Sequence, residues 1–300
     1  MSLSLESIIE KHYSNMKVKE EILRYSKGRW VALHCIEKDE KGKPYFFRYL
    51  GRNRKPLKII DLEEIDSLLK RFRRFKPRTF YATSNIYGKL DVREDVMDLN
   101  NIVACTPTWD IDNDVEEWEA TVEVAKEILR FLKSNGIEES TYVKWSGRGC
   151  HIHLHEESIS REVRAKHNPM DLAYAIVEYV NLKLRDRYFE IAEKSSSHKL
   201  RVENNIDPQR LFTCPLSLHK SLNRVCICIS EEELDEFNPE WTEVGRYRHF
   251  DGWGRYVPGE ADDLALRAFN TVGPCTSHPR FRRRRHPPLD RQINKWFKKN

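Results

Sequence analysis

The segment after Gly149 alternates strictly between histidines and other residues, reading CHIHLH over residues 150–155. A period of two is typical of a β-strand with two unlike faces, so Ile152 and Leu154 are predicted to share one face and the histidines the other. Three further segments have the β-branched or alternating composition of strands, namely residues 102–112, 142–145 and 223–229. The chain is therefore expected to contain a sheet.

Three other segments have the periodicity of helices. Asp61 with Glu64 forms a predicted capping box before the first, and Asn168–Pro169 opens the third. The second steps by four and three through apolar residues from Trp118 to Leu132 and ends at Asn135–Gly136. We predict an α/β or α+β protein. Because strands and helices do not alternate regularly, we expect a mixed or antiparallel central sheet flanked by helices.

Positive charge is concentrated in two places. Residues 280–300 contain nine Lys/Arg and one Asp, a net charge of +8, although the whole chain carries only +5. Residues 48–78 contain eleven Lys/Arg against four acids. Such clusters suit a polyanion, and the alternative is an ordinary solvated surface. We predict a folded domain over residues 1–270 and a basic, flexible tail over residues 271–300.

Cysteine usage and hydropathy indicate a cytoplasmic protein. The seven cysteines are odd in number and form no CxxC pair, so neither a disulfide framework nor a zinc ribbon is predicted. No stretch approaches the ~20 apolar residues that span a bilayer, and charges interrupt the first seventeen residues where a secretory signal would be apolar. We expect no association with a membrane.

The first segment that could carry chemistry is TWDIDND, residues 108–114. A strand would place Trp109 and Ile111 on one face, and Asp110 and Asp112 on the other. Residues two apart on a strand are ~6.6 Å apart at Cα, so two carboxylates there can converge on one or two hard cations. Two Mg²⁺ ions held in this way support phosphoryl transfer. The alternative is a solvated loop at a strand end.

The second segment is WSGRGCHIHLH, residues 145–155. Its two glycines allow a tight turn whose N–H groups could bind phosphate, with Arg148 as a bidentate partner. The three histidines on one face could form a zinc site, because HxH is a metal-ligand spacing. We favour a solvent-facing row in which only His151, beside the turn, takes part in chemistry, since a triphosphate needs cationic donors there.

The third segment combines further acids, in VENNIDPQRL at residues 202–211, with PLSLHK at residues 215–220. An acid followed by Ser217, His219 and Lys220 is the mixture that a metal–triphosphate complex requires. Taken one at a time, Ser217 and His219 are equally well explained as ordinary residues of a turn.

In this order, the three segments resemble the catalytic small subunit of the archaeo-eukaryotic DNA primases and the wider primase–polymerase family. Family members have a hydrophobic strand ending in DxD, a helix, a strand with SGxRGxHxH, and an acid followed by RLxxxPxSLHxK. The matching segments here are Asp110–Asp112, Ser146–His153 and Arg210–Lys220. Residues 80–87 and 28–30 are similar to further family segments. The resemblance covers about residues 25–230.

The resemblance implies a primase-type nucleotidyltransferase that makes a short primer on single-stranded DNA from nucleoside triphosphates. It implies that Asp110 and Asp112 bind two Mg²⁺ or Mn²⁺ ions, with either Glu203 or Asp207 as the third catalytic acid. The implied contacts to the nucleotide's phosphates are Ser146, Arg148, His151, His219 and Lys220. It further implies a mixed α/β catalytic core and an iron–sulfur large subunit as partner, unless the chain is a stand-alone paralogue or a mobile-element enzyme.

The sequence departs from the family pattern at several points. SGRGCH is one residue shorter than the family's SGxRGxH, and Thr213 stands where family members carry a basic residue. Residues 113–140 contain no Cys or His, so the zinc knuckle of archaeal members is missing. Zinc is not expected, and Cys214, Cys226 and Cys228 are predicted to be core residues.

Two competing functions remain open at this stage. The first is a metal-dependent nuclease or phosphohydrolase built on DxD and HxH. The second is a degenerate primase-like module that binds nucleic acid without turnover.

Overall fold

The structure is a computed structural model that describes residues 5–275. The helices are α1 (Leu5–Tyr13), α2 (Met16–Ser26), α3 (Leu62–Arg71), α4 (Trp118–Ser134), α5 (Arg161–Lys166), α6 (Pro169–Ser195) and α7 (Asp262–Val272). The strands are β1 (Arg29–Lys38), β2 (Pro44–Phe47), β3 (Tyr49–Leu50), β4 (Lys55–Pro56), β5 (Pro77–Tyr87), β6 (Ile102–Cys105), β7 (Thr108–Asp112), β8 (Thr141–Trp145), β9 (Cys150–Leu154), β10 (Arg201–Glu203), β11 (Leu211–Thr213) and β12 (Ile227–Ile229).

The strands form two five-stranded sheets and one short hairpin. The first sheet has the order β11-β5-β1-β2, with β6 also paired to β5, and the second has the order β10-β7-β9-β8-β12. Strands β3 and β4 form the hairpin. Every strand pairing is antiparallel. The α+β class with helix-flanked antiparallel sheets, predicted from the sequence, is confirmed.

The helices begin where the sequence signals placed them. The Asp61 carboxylate accepts the N–H of Glu64 at 2.8 Å before α3, and the Asn168 side chain accepts the N–H of Met170 at 2.9 Å before α6. Helix α4 packs on strands β7 and β9 of the second sheet, and α6 packs on α4 and α7. No helix within residues 5–275 is long and apolar enough to cross a membrane.

The segment 102–112, predicted as one strand, forms two strands that belong to different sheets. Strand β6 pairs with β5 in the first sheet, and β7 pairs with β9 and β10 in the second. The change of sheet occurs at Thr106–Pro107, because proline has no N–H with which to continue a ladder. The segment predicted at 223–229 is shorter as a strand and begins at Ile227.

The C-terminal boundary predicted at residue 270 falls inside α7, and Cys275 is buried. Residues 276–300 lie outside the described residues, so the division into a domain and a basic tail stays a prediction.

Candidate active site

Asp110 and Asp112 lie on one face of β7, a strand paired on both sides. Trp109 and Ile111, on the opposite face, are fully buried in the core against the helices. Asp110 is nearly buried, whereas Asp112, at the strand end, is exposed. The alternation of this strand therefore presents two carboxylates at the edge of the core.

Both oxygens of the Asp110 carboxylate are engaged. His151 Nε2 lies 3.1 Å from Oδ1, while Asn205 Nδ2 donates to Oδ2 at 3.2 Å. The Arg210 guanidinium also donates to Oδ2. Burial alone would raise the pKa of Asp110, but His151, Arg210 and Asn205 together hold that pKa well below its usual range. Asp110 is thus ionised and held by three donors.

Asp112 has the opposite shift. Although Asp112 is exposed at the strand end, partial desolvation of its carboxylate, followed by the negative charges of Asp110 and Glu203, raises the pKa of Asp112. These acids repel one another, and carboxylates that share a site in this way are the oxygen ligands that Mg²⁺ and Mn²⁺ prefer. The residues present therefore fit a divalent cation.

The structure separates the two candidates for the third acid. Glu203 on β10 stands directly opposite Asp110 in the register, and Asn205 Nδ2 donates to the Glu203 carboxylate at 2.9 Å as well as to Asp110. Asp207 is exposed, and its carboxylate accepts the N–H of Gln209 at 2.6 Å in a local turn. Of the two acids, Glu203 is the one beside the Asp110 carboxylate.

The glycine turn between β8 and β9 is wedged between β7 and His219. The Ser146 N–H donates to the Gly149 carbonyl at 3.0 Å and closes the turn. A Cβ on Gly149 would stand 2.6 Å from the Ile111 carbonyl oxygen, and one on Gly147 would stand 3.0 Å from His219 Cδ2. A side chain has no room at Gly149, and at Gly147 it would strain the backbone, whose φ is +117°, and push the His219 ring aside.

His219 is held as a neutral hydrogen-bond donor. Its Nδ1 accepts the N–H groups of Ser221 (3.2 Å) and Leu222 (2.9 Å), which leaves the ring proton on Nε2. Burial, followed by the charges of Lys220 and Arg148, lowers the pKa of His219 to about 4. Arg148 and Lys220 are themselves exposed. One neutral donor and two cations therefore border the glycine turn.

The expectation of a solvent-facing histidine row on β9 is wrong. His153 is fully buried, stacks on Tyr142 with ring centroids 4.7 Å apart, and hydrogen-bonds to Thr108 Oγ1 at 2.8 Å. His155 stacks instead on Tyr256. The reason is that Phe212 of the first sheet, rather than water, packs against this face of β9. The three histidines have different hydrogen-bond partners, and within residues 5–275 they are not among the groups that bring three ligand atoms within 4.8 Å of one another.

Sequence reasoning missed a cluster of nitrogen groups around the buried Phe212 ring. The ring centroid lies 5.0 Å from that of His151, 5.3 Å from the Arg210 guanidinium carbon and 5.6 Å from Lys144 Nζ. Lys144 is fully buried opposite His151 on β8 and donates to Tyr25 at 3.2 Å. Arg210 belongs to the RL segment of the family pattern, but that pattern does not indicate the contact between Arg210 and Asp110.

An exposed aromatic surface continues from the site along the first sheet. Phe46 is 44% exposed, and its ring centroid lies 6.0 Å from that of Tyr81 and 6.2 Å from that of His34. The Arg48 guanidinium covers Phe46 and donates to the backbone carbonyl of Gln209, the residue before Arg210. Aromatic rings and a guanidinium therefore lie together on the first sheet, and Arg48 links them to the segment that carries Arg210.

A second group of possible metal ligands lies elsewhere. Within residues 5–275, only Glu21, His249 and Asp251 bring three ligand atoms within 4.8 Å of one another. His249 Nδ1 accepts the N–H of Cys228 at 3.0 Å, so Nε2 carries the ring proton and faces Glu21 at 3.3 Å. A metal would need the Nε2 position that this proton occupies. These residues therefore form a hydrogen-bonded cluster rather than a metal site.

Comparison with known proteins gives a structural match only. No protein-family model matches the chain, and no curated protein sequence does. Among solved structures, the chain is similar to the polymerase domain of ligase D from Mycobacterium tuberculosis, determined in complex with DNA. The TM-score is 0.52 and the sequence identity 16%, with 90% of each chain covered. The chain therefore shares its fold with a DNA ligase D polymerase domain.

Proposed function

We propose that the chain is a metal-dependent nucleotidyltransferase of the primase–polymerase type, which joins nucleoside triphosphates along a single-stranded DNA template. The observation that supports the proposal is the adjacency of three chain segments. Glu203 on β10 is paired opposite Asp110 on β7. A Cβ on Gly149 would stand 3.3 Å from Asp112 Oδ1, and Gly147 of the same turn lies against His219.

The carboxylates Asp110, Asp112 and Glu203 would hold Mg²⁺ or Mn²⁺. When bound, such ions activate a 3′-hydroxyl and neutralise charge on the transferred phosphoryl group. Zinc is not part of the proposal. Cys214, Cys226 and Cys228 are buried and unpaired, and they lie in the core as predicted.

The groups around the glycine turn would bind the triphosphate. His219 offers an Nε2–H, because its Nδ1 accepts two backbone N–H groups and so cannot carry the ring proton. Arg148 and Lys220 offer exposed positive charge. Ser146 and the N–H groups of the turn would add neutral donors. His151, which faces Asp110, would bridge the metal acids and the phosphates.

The aromatic surface of Phe46 and Tyr81, with Arg48, would contact bases and backbone of the template, because aromatic faces stack on bases of any sequence. The basic residues at 48–78 and the tail at 280–300 would add attraction to phosphates. The ligase D polymerase domain was determined with DNA, which supports a DNA template. Primer synthesis and an iron–sulfur large-subunit partner belong to the proposal at this finer level.

The test is template-dependent synthesis by purified protein. Unprimed and primed single-stranded DNA are incubated with labelled nucleoside triphosphates and Mn²⁺ or Mg²⁺. Asp110→Asn and Asp112→Asn should reduce product formation by about 10³-fold or more, because each removes a carboxylate from the metal site. Asp114→Asn is the matched control, since Asp114 lies in the same segment but its carboxylate pairs with Lys199 at 2.9 Å.

Products that lengthen according to the template support the proposal, and products only from primed DNA would limit it to extension. Metal-dependent shortening of the DNA would replace it with nuclease activity. DNA binding with no product under any condition would indicate a degenerate module.

A further inference from the structure

We propose that Arg210 is a movable counterion that couples metal binding to nucleotide binding. Its guanidinium pairs with Asp110 while no nucleotide is bound and transfers to the phosphates of the nucleotide when a divalent cation takes its place on the carboxylate. The inference rests on the proposed function and assigns a positioning role to a residue outside the set of acids and phosphate donors predicted from the sequence.

The first step of the argument is competition for one oxygen. Asp110 Oδ2 accepts from Arg210 and from Asn205, while Oδ1 faces His151. A divalent cation needs lone pairs of this carboxylate, and a guanidinium at the same oxygen both occupies them and repels the cation. The carboxylates of the site also do not yet converge, because the only three-ligand group within 4.8 Å in residues 5–275 is the one at Glu21.

The second step concerns how Arg210 is held. Asp110 is the only carboxylate in the described part of the chain within ion-pair distance of Arg210. The Nε atom of Arg210 is buried without a hydrogen-bond partner. The Arg210 side chain is 33% exposed whereas that of Asp110 is 5% exposed, so the cation and not the acid has room to move. Arg210 follows a turn and precedes the short strand β11.

The third step is where the guanidinium can go. It lies 5.3 Å from the centre of the Phe212 ring, a distance at which a guanidinium and an aromatic ring attract each other, so part of its favourable surroundings does not depend on Asp110. A triphosphate bound beside Arg148 and His219 would carry several negative charges. It would offer the two-pronged acceptor that a guanidinium prefers. Arg210 then exchanges one anionic partner for another and is never left unpaired.

Exchange of this kind makes the two ligands cooperative. Displacing Arg210 from Asp110 costs an ion pair when the metal binds alone, and the cost is recovered when a triphosphate accepts the guanidinium. By linkage, the metal must tighten triphosphate binding by the same factor. Coupling of this type is usually about 5- to 150-fold in affinity.

The experiment measures binding without turnover. Mn²⁺ affinity is determined by electron paramagnetic resonance and calorimetry, with and without a nucleoside triphosphate analogue that has a non-cleavable α–β linkage. For Arg210→Gln we expect Mn²⁺ alone to bind about tenfold more tightly, the analogue to bind more weakly, and the coupling to fall about tenfold, to the part that direct contact between Mn²⁺ and the phosphates supplies. Arg210→Lys keeps the positive charge but loses the planar guanidinium that binds two acceptor oxygens at once. It should retain part of the coupling.

Arg224→Gln is the matched control, because the Arg224 side chain has the same 33% exposure and faces Glu243 instead. It should leave all three quantities unchanged. The counterion role is overturned if Arg210→Gln binds Mn²⁺ no more tightly than the wild type, or if the coupling in that variant is as large as in the wild type. If the wild-type protein binds neither Mn²⁺ nor the analogue, the proposed function fails together with this inference, so the two failures are distinguishable.

Discussion

Gly147 lies directly against the imidazole of His219, and a Cβ on Gly147 would stand 3.0 Å from His219 Cδ2 and 3.2 Å from Cγ. The contact joins the turn after β8 to the segment after β11, two parts of the chain that belong to different sheets. The same turn touches β7 through Gly149, whose Cβ position lies 3.3 Å from Asp112 Oδ1, so one turn contacts both His219 and the end of β7. The most informative variants are those that disturb these contacts.

Gly147→Ala should weaken triphosphate binding by about tenfold and destabilise the fold slightly. The new Cβ displaces the His219 ring, and the backbone at φ +117° is itself strained for a residue with a side chain. Gly245→Ala controls for backbone strain, because Gly245 also has a positive φ but nothing lies within 4 Å of its Cβ position. Calorimetric titration with a triphosphate analogue and thermal unfolding measure the two effects. Equal loss of binding in both variants would remove the special role of the His219 contact.

Glu203→Gln should weaken Mn²⁺ binding by tenfold or more, whereas Asp207→Asn should leave it unchanged. Glu203 faces Asp110 across the β7–β10 ladder, while Asp207 is exposed and accepts the Gln209 N–H. Asp207→Asn retains an oxygen at that turn, so we expect a loss of stability of no more than about 1 kcal/mol. Metal titration of the two variants gives the comparison. The reverse order of effects would make Asp207 the third acid.

Local patterns in the sequence were sufficient to predict much of the fold. Helix starts at Asp61 and Asn168 depend on side chains within three residues, and they occur where predicted. The alternation of residues 108–112 depends only on the pleat of one strand, which is why the two aspartates share a face. Such features are determined by neighbours in sequence and need no knowledge of the tertiary structure.

Features that depend on what covers a strand could not be predicted in this way. The alternation over residues 150–155 indicates that His153 faces away from Ile152. It does not indicate that Phe212, which belongs to the other sheet, covers His153. The burial of Lys144 follows from the same packing. The ion pair of Arg210 with Asp110 joins residues far apart in sequence, and no spacing rule signals it. The missing information concerns which sheets meet.

Arg29→Met should destabilise the protein by about 3–5 kcal/mol, because it leaves Glu156 as an unpaired buried charge. Arg29 donates to Glu156 at 2.8 Å and to the backbone carbonyls of Thr83 and Ser84, and it lowers the pKa of Glu156 to about 2 against the effect of burial. Urea denaturation measures the loss.

The double variant Arg29→Met with Glu156→Gln should recover part of that stability, since no buried charge then remains unpaired. Lys58→Met breaks the ion pair with Asp91, whose side chain is 66% exposed, and should cost less than about 1 kcal/mol. If the Arg29 and Lys58 variants lost equal stability, the buried pair would have no special importance.

Acid should destabilise the protein through His219. Its pKa in the folded protein is about 4, below the value of about 6.5 in an unfolded chain, so between these values the unfolded state binds the extra proton. The free energy of unfolding therefore falls as the pH is lowered from about 6.5 to 4, by up to about 3 kcal/mol from this group at 1.36 kcal/mol per unit of pKa difference. Above pH 6.5 the contribution of His219 is constant.

His219→Gln should make this pH dependence shallower, because glutamine takes up no proton in either state. Urea unfolding of the wild type and the variant at intervals from pH 4.5 to 7.5 gives the two slopes. A residual slope is expected in the variant, since burial also lowers the pKa of His12 and His155. His198→Gln, at an exposed position, serves as the control and should retain the wild-type slope. An unchanged slope in His219→Gln would mean that this imidazole takes up its proton in the folded protein as readily as in the unfolded chain. The assignment of a neutral imidazole at residue 219 below about pH 6.5 would then be wrong.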